Sequence, residues 1–321
     1  MDLGLIWLFI IAFGLLLYVV LDGFALGMAA LFPFLSQKQR DIATSVLLPT
    51  WDGNQTWLVF SLACFYGMFP SAFAYIFPKI YLPATLLVVM LLFRGICFEF
   101  RLKSSAAGIK NWDYLFFISS LAAAFLQGYI VGDLIVGYPK TTITSGISFG
   151  IITGLTLMVG YMLLGATRLI LKTEDELLAK AKFLAKRLAF CLIILMLLIG
   201  VTTPFYTLLP LNNIYKTPIL ITFFILTIIG FIFLFKNFNS KYHALPYWIT
   251  VAIFVFTYAS MLTLIFPFII PYKITYIESQ ANNTTLLFTL IPATIMIPLL
   301  LLYTSYAYYV FRGKTKEKLG Y

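Results

Sequence analysis

Four ionisable residues fall inside long apolar runs, and they are the side chains most able to do chemistry. Asp22 lies in YVVLDGFALG, Asp52 in WDGNQTW, and Arg94 and Glu99 in FRGICFEFR. A carboxylate in such surroundings can pass protons along a water chain, or it can be neutralised by a buried cation and tie helices together. A charge near mid-membrane costs roughly 2.5–3.5 kcal/mol on insertion scales, so each of the four must face protein, water or a partner charge. Arg94 can be neutralised by Asp22 or by Asp52, and the residues alone leave both pairings open. Asn54, Gln55 and Thr56 supply donors and acceptors over one helical turn beside Asp52, and Gly53 lets another backbone or a water approach. Asp52, Asp22, Asn54, Gln55 and Thr56 are therefore the candidate proton path. Arg94 and Glu99 are the candidate charge network, which tunes local charge or pairs across the helix bundle. Trp51 and Trp57 are candidate interfacial aromatics.

Other chemistries lack their residues. The single histidine, His243, stands in the polar stretch KNFNSKYH and reads as a surface residue. Haem and copper sites in membranes need several histidines, or histidine with methionine or cysteine. Cys64, Cys97 and Cys191 lie in apolar runs and form no CxxC, which predicts small buried hydrophobes and no metal site. Walker A loops, strand-borne GxGxxG and Ser/His/Asp or Cys/His sets are missing. If the chain serves an enzyme, another chain carries the redox chemistry. Asp133 and Glu278, near helix ends, read as snorkelling or capping residues. Asp41, Glu174, Asp175, Glu176 and Glu317 stand among basic residues and read as a solvated face.

The elements that hold these residues must be membrane helices. Only 11% of the 321 residues are charged and 62% are hydrophobic, against about 25% charged in soluble domains. The surface must face lipid, and the basic excess marks loops on one side of the bilayer rather than a nucleic-acid surface. The start, MDLGLIW, has no basic n-region, so the first apolar run is expected to stay as a helix. With about 20 apolar residues per crossing, nine segments qualify, near 4–34, 45–69, 74–100, 112–138, 147–170, 186–208, 217–235, 245–270 and 281–311. They form a single integral membrane domain over 1–321. Seventeen of the 22 Lys and Arg fall on the odd-numbered connections and the C-terminus and four on the other side. The positive-inside rule puts the N-terminus outside and the C-terminus in the cytoplasm, which an odd helix count requires. Residue types alone also admit a proton-coupled secondary transporter, with Pro78, Pro83, Pro292 and Pro298 kinking helices around a midplane site, or a purely structural scaffold subunit.

The motifs LDGFALG (21–27), PTWDGNQTWLV (49–59), YLPATLLVVMLLFRGICFEFR (81–101), FPF (266–268) and LLLLYTSYAYYVFRGK (299–314) resemble subunit II of the cytochrome bd-type (cyanide-insensitive) quinol oxidases. The resemblance spans both ends of the chain; residues 140–250 match only in hydropathy. It implies a terminal oxidase of the bacterial cytoplasmic (inner) membrane that oxidises quinol, reduces dioxygen to water and takes protons from the cytoplasm. It implies an all-α fold of two four-helix bundles plus one peripheral helix, with a periplasmic N-terminus. It places haem b, haem d and quinol oxidation on a partner, subunit I, and no haem on this chain. A structural quinone in this chain and a small single-helix accessory subunit belong to some members. By motif match Asp52 is the aspartate of a proton channel at the subunit interface, and Asp22 is the first aspartate of a DGFD motif. Ala25 replaces the second aspartate, which throws more of any relay onto Asp52 and Asp22.

Overall fold

The computed structural model describes residues 2–138, 143–206 and 215–315. Lys140, Lys316 and Lys318, used in the charge count, and Glu317, read as part of a solvated face, lie outside them. The chain is helix after helix: α1 (Leu3–Leu21), α2 (Gly23–Ala30), α3 (Gln37–Leu47), α4 (Trp51–Met68), α5 (Pro70–Lys103), α6 (Ala106–Val136), α7 (Ile143–Lys172), α8 (Asp175–Tyr206), α9 (Lys216–Asn237), α10 (Leu245–Ile265), α11 (Tyr276–Ser279) and α12 (Asn283–Val310). A short hairpin, β1 (Phe268–Ile270) with β2 (Ile274–Thr275), follows the FPF motif.

Among the described residues eight helices are long and apolar enough to cross a membrane, counting α1 and α2 as one. The expected second crossing is different. The segment read as 45–69 divides at Pro49 into α3, a polar-edged helix, and α4. Pro49 has no amide hydrogen and disfavours helical backbone in the residue before it, so the chain turns there. α4 stands where the ninth crossing was expected, but its polar first turns keep it below the hydropathy of the eight spans. It still lies beside α1 and antiparallel to it: Asn54 meets Leu21, and Ser61 packs on Gly14. At about 1.5 Å per residue, the 34 residues of α5 far exceed the ~30 Å hydrocarbon thickness, so that helix projects from the membrane.

Local capping fixes several ends. Asp2 accepts from the Leu5 amide and starts α1; Asn282 accepts from the Thr285 amide and starts α12. Ser36 and Gln39 cap α3 reciprocally. α5 and α12 run on through Pro78, Pro83, Pro292 and Pro298, so the helices are not interrupted at those prolines.

The centre of the molecule is α2, whose eight residues are all buried. α1, α2, α4, α5 and α6 pack as one group; α7, α8, α9 and α10 form a second; α12 rests on α1 and α4 at the edge. The groups meet where α6 packs along α7 and where α2 crosses α7. The α2 crossing is close because it is lined by glycine: a Cβ on Gly27 would stand 1.6 Å from the Tyr161 carbonyl oxygen, and one on Gly165 2.4 Å from the Met28 amide nitrogen. Small residues let membrane helices approach backbone to backbone.

Candidate functional site

Asp22 is the junction residue between α1 and α2, and Arg94 stands about two and a half turns before the end of α5. Their side chains meet as a bidentate pair with both N···O distances 2.8 Å, and neither is exposed to solvent. Two parallel hydrogen bonds match the planar guanidinium fork to both carboxylate oxygens, a geometry Lys cannot supply. Of the two partners left open by the sequence, Arg94 takes Asp22. A polar chain continues from the carboxylate. The Tyr18 hydroxyl hydrogen-bonds Asp22, accepts from Gln127 Nε2 at 2.9 Å, and Gln127 Oε1 accepts from the Tyr161 hydroxyl at 2.8 Å. This chain ties α1, α6 and α7 together in the core. Ala25, one turn along α2, is buried among apolar neighbours.

WDGNQTW opens α4, and the helix distributes its residues by angle. Asn54 is buried; its amide donates to the Leu21 carbonyl at 2.8 Å and its oxygen accepts from the Tyr308 hydroxyl at 3.0 Å, so it braces α4 between α1 and α12. Asp52, about 200° away around the helix, is exposed, as is Thr56 one turn on. Below them the same face carries Val59, Leu62 and Tyr66, each at least half exposed. No hydrogen bond or ion pair reaches Asp52 among the described residues. Gln55 is half-buried, and its Nε2 is a buried donor with no partner among the described residues. The five expected path residues thus divide. Asp22 and Asn54 are locked into inter-helix contacts, Asp52 and Thr56 face outward, and Gln55 lies between them.

The tryptophans also divide. Trp57 is only 1% exposed, packed edge-on against Phe13 and Phe60, so it is a core residue and not an interfacial one. Trp51 is half-buried and stacks on Phe98 at 4.8 Å. Glu99 does not pair across the bundle. It is exposed, and among the described residues it meets only Lys103, one turn on in its own helix, at 3.7 Å, a contact of little energy in solvent.

A second charged cluster was hidden from sequence reasoning. Arg101, 2% exposed, donates to Asp113 at 2.5 Å and to Asp41 at 2.7 Å; Arg40 and Gln37 also reach Asp113. It pins α3 across the junction of α5 and α6. Asp41, read as solvated, is a member of it. Asp113 drew no attention because it sits beside an apparent helix start, where acids are common. Arg168, counted with the loop cations, is buried among the rings of Phe24, Tyr247 and Tyr308.

The remaining residues are peripheral. Glu278 and Thr275 form a reciprocal cap on α11, which holds the Glu278 carboxyl below its ordinary pKa. His243 is half-buried in the loop between α9 and α10; burial, with the Lys182 and Lys314 charges, pushes its imidazole below the usual range. No group of three or more His, Cys, Asp or Glu side chains gathers among the described residues. One loop imidazole with cationic neighbours does not fit the axial demands of a haem.

These features define an all-α, multi-pass membrane protein whose internal charges gather at its basic end. The chain belongs to the cytochrome bd terminal oxidase subunit II family, whose sequence pattern its residues 3–311 match. It is 25% identical to the cytochrome bd-I ubiquinol oxidase subunit 2 of Escherichia coli (strain K12), covering 99% of this chain and 96% of that one. It is 23% identical to the cytochrome bd ubiquinol oxidase subunit 2 of Bacillus subtilis (strain 168), over 98% and 97%. A chain in the structure of the bd oxidase from Geobacillus thermodenitrificans has the same fold, with TM-score 0.79, 15% identity, and 97% and 99% of the two chains covered. Membership makes the chain one subunit of a terminal oxidase.

Proposed function

We propose that this chain supports a haem-bearing subunit I in a quinol:O2 oxidoreductase of the bacterial cytoplasmic membrane and hands protons to it through Asp52. In that reaction two quinols reduce one O2 to two waters, and the four protons consumed at the O2 site come from the cytoplasm. Haem b and haem d, on the partner, supply the electron transfer and the O2 chemistry. This chain's own residues supply a framework and a proton route.

The observation that carries the reading is the exposed carboxylate of Asp52, unpaired among the described residues, at the head of an apolar stripe on α4. A carboxylate left against lipid is costly, so this face is suited to cover by a partner that brings water or a donor to it. Gln55 Nε2, a buried donor lacking a partner, fits a water beside Asp52. Asp22 plays another part. Both its oxygens are held by Arg94, and releasing them would leave two buried charges, so it acts as a strut that ties the junction of α1 and α2 to α5. The scaffold and proton-route readings therefore apply to different residues of one chain.

The test is Asp52→Asn in the assembled oxidase. Oxidase turnover is expected to fall on the order of tenfold to a hundredfold, the size of a lost proton-transfer group, with haem absorption and subunit ratio intact. Full turnover would remove Asp52 from the proton route. Loss of the haem spectrum would make its role structural.

A further inference from the structure

At the basic end, α7 carries two buried cations one turn apart: Arg168, 8% exposed, and Lys172, 5% exposed. Among the described residues neither forms a salt bridge. Arg168 is faced by aromatic rings 4.8 to 5.2 Å from its guanidinium carbon, and its Nε has no hydrogen-bond partner. Lys172 Nζ donates to the carbonyl oxygens of Phe311 at 2.5 Å and Gly313 at 3.2 Å. That uses two of its three hydrogens. The acid closest in sequence, Glu174, is paired with Lys314 at 3.1 Å. Ring faces and carbonyls soften a positive charge without neutralising it, and buried charges are otherwise paired.

Lys172 lines a cavity of about 210 Å³. Ser45, Lys314 and Thr315 give it further polar lining, and Val46 and Phe311 an apolar side. At about 30 Å³ per water it has room for about seven waters, or for a phosphate ester with its first carbons. A crevice of about 20 Å³ between α4 and α12 shares Pro49 with it; Thr50, Asn54, Thr304 and Tyr308 line it beside Ala307, so it is partly polar and has room for one water. The cationic end of the cavity thus abuts an apolar wall of Val46, Pro49, Val310 and Phe311, and the outer face of α12 extends that wall through Tyr306, Leu302 and Leu299, each more than half exposed. Basic pockets between membrane helices at the positive side bind lipid headgroups.

We propose that this cavity holds the phosphate of an anionic phospholipid headgroup, with the Lys172 ammonium as its principal donor and an acyl chain lying along α12. The apolar wall and the exposed outer face of α12 favour a lipid over free phosphate. The site is independent of the proton route through Asp52.

The test is native mass spectrometry of the intact oxidase complex, washed in detergent and titrated with dihexanoyl phosphatidylglycerol, dihexanoyl phosphatidylcholine or inorganic phosphate. The wild type is expected to retain one phosphatidylglycerol, in preference to phosphatidylcholine. Lys172→Gln is expected to bind it about tenfold more weakly, as for one lost charged hydrogen bond. Val46→Phe fills the cavity without touching the cation; it is expected to weaken retention too, and it tests the site if Lys172→Gln fails to assemble. Equal retention by all three proteins overturns the proposal. Saturation by inorganic phosphate without lipid retention also overturns it, in favour of a free-phosphate site. No adduct on the wild-type complex overturns it in favour of an acid of the partner subunit filling the cavity.

Discussion

Removing one member of the Asp22–Arg94 pair and removing both charges should differ in cost, because most of the penalty comes from the charge left behind. Arg94→Met strands a fully buried carboxylate and is expected to destabilise the subunit by about 3–5 kcal/mol. The double variant Asp22→Asn with Arg94→Met keeps the volume, strands no charge and should recover much of that loss. Thermal unfolding of the detergent-solubilised complex reads both; equal damage from the single and the double variant would show that the pair is not what the site depends on. The members of the pair stood out in the sequence as ions in apolar runs. Their pairing did not, because it depends on which face of α1 and α5 each side chain occupies. The same blindness hid Arg101 and Asp113, and it made Glu99 look like a network member when it lies on the outer face of α5.

At the scale of elements, the crossing of α2 over α7 rests on absent side chains. Gly27→Ala would drive a methyl into the Tyr161 carbonyl, and backbone cannot swing aside as a flexible side chain does. The helices must separate, at a cost of about 1–3 kcal/mol or more. A lowered melting temperature and a reduced yield of assembled complex are the expected readouts. Gly67→Ala, where a new methyl meets nothing within 4 Å, is the control and should be harmless; equal damage from both would refute the close-crossing argument. The spacing Gly23–Gly27 is visible in LDGFALG, but nothing in it names α7 as the partner. Pro49 is likewise visible, and it divides α3 from α4 where hydropathy alone ran the two together.

For the whole molecule, the expected orientation follows from the uneven placement of basic residues. In a background free of Cys64 and Cys191, Lys103→Cys should react with a membrane-impermeant maleimide only in inverted vesicles, and Ile277→Cys only in right-side-out ones. The reverse pattern would invert the topology. The sequence by itself determined the all-helical membrane class, the approximate crossings and the end where charge collects. These depend on local composition, since about 20 apolar residues must span the hydrocarbon whatever surrounds them. Its motifs also carried the family resemblance that the match over residues 3–311 supports. Only the tertiary structure decided that Arg94 holds Asp22 while Asp52 has no partner among the described residues. It alone showed that Trp57 is core, that Arg168 is enclosed by rings, and that Lys172 closes on the C-terminal segment. Each of these depends on the angular register of helices far apart in the chain, and that register is set by packing between faces, such as the glycine-lined crossing of α2 and α7, rather than by any one segment's composition.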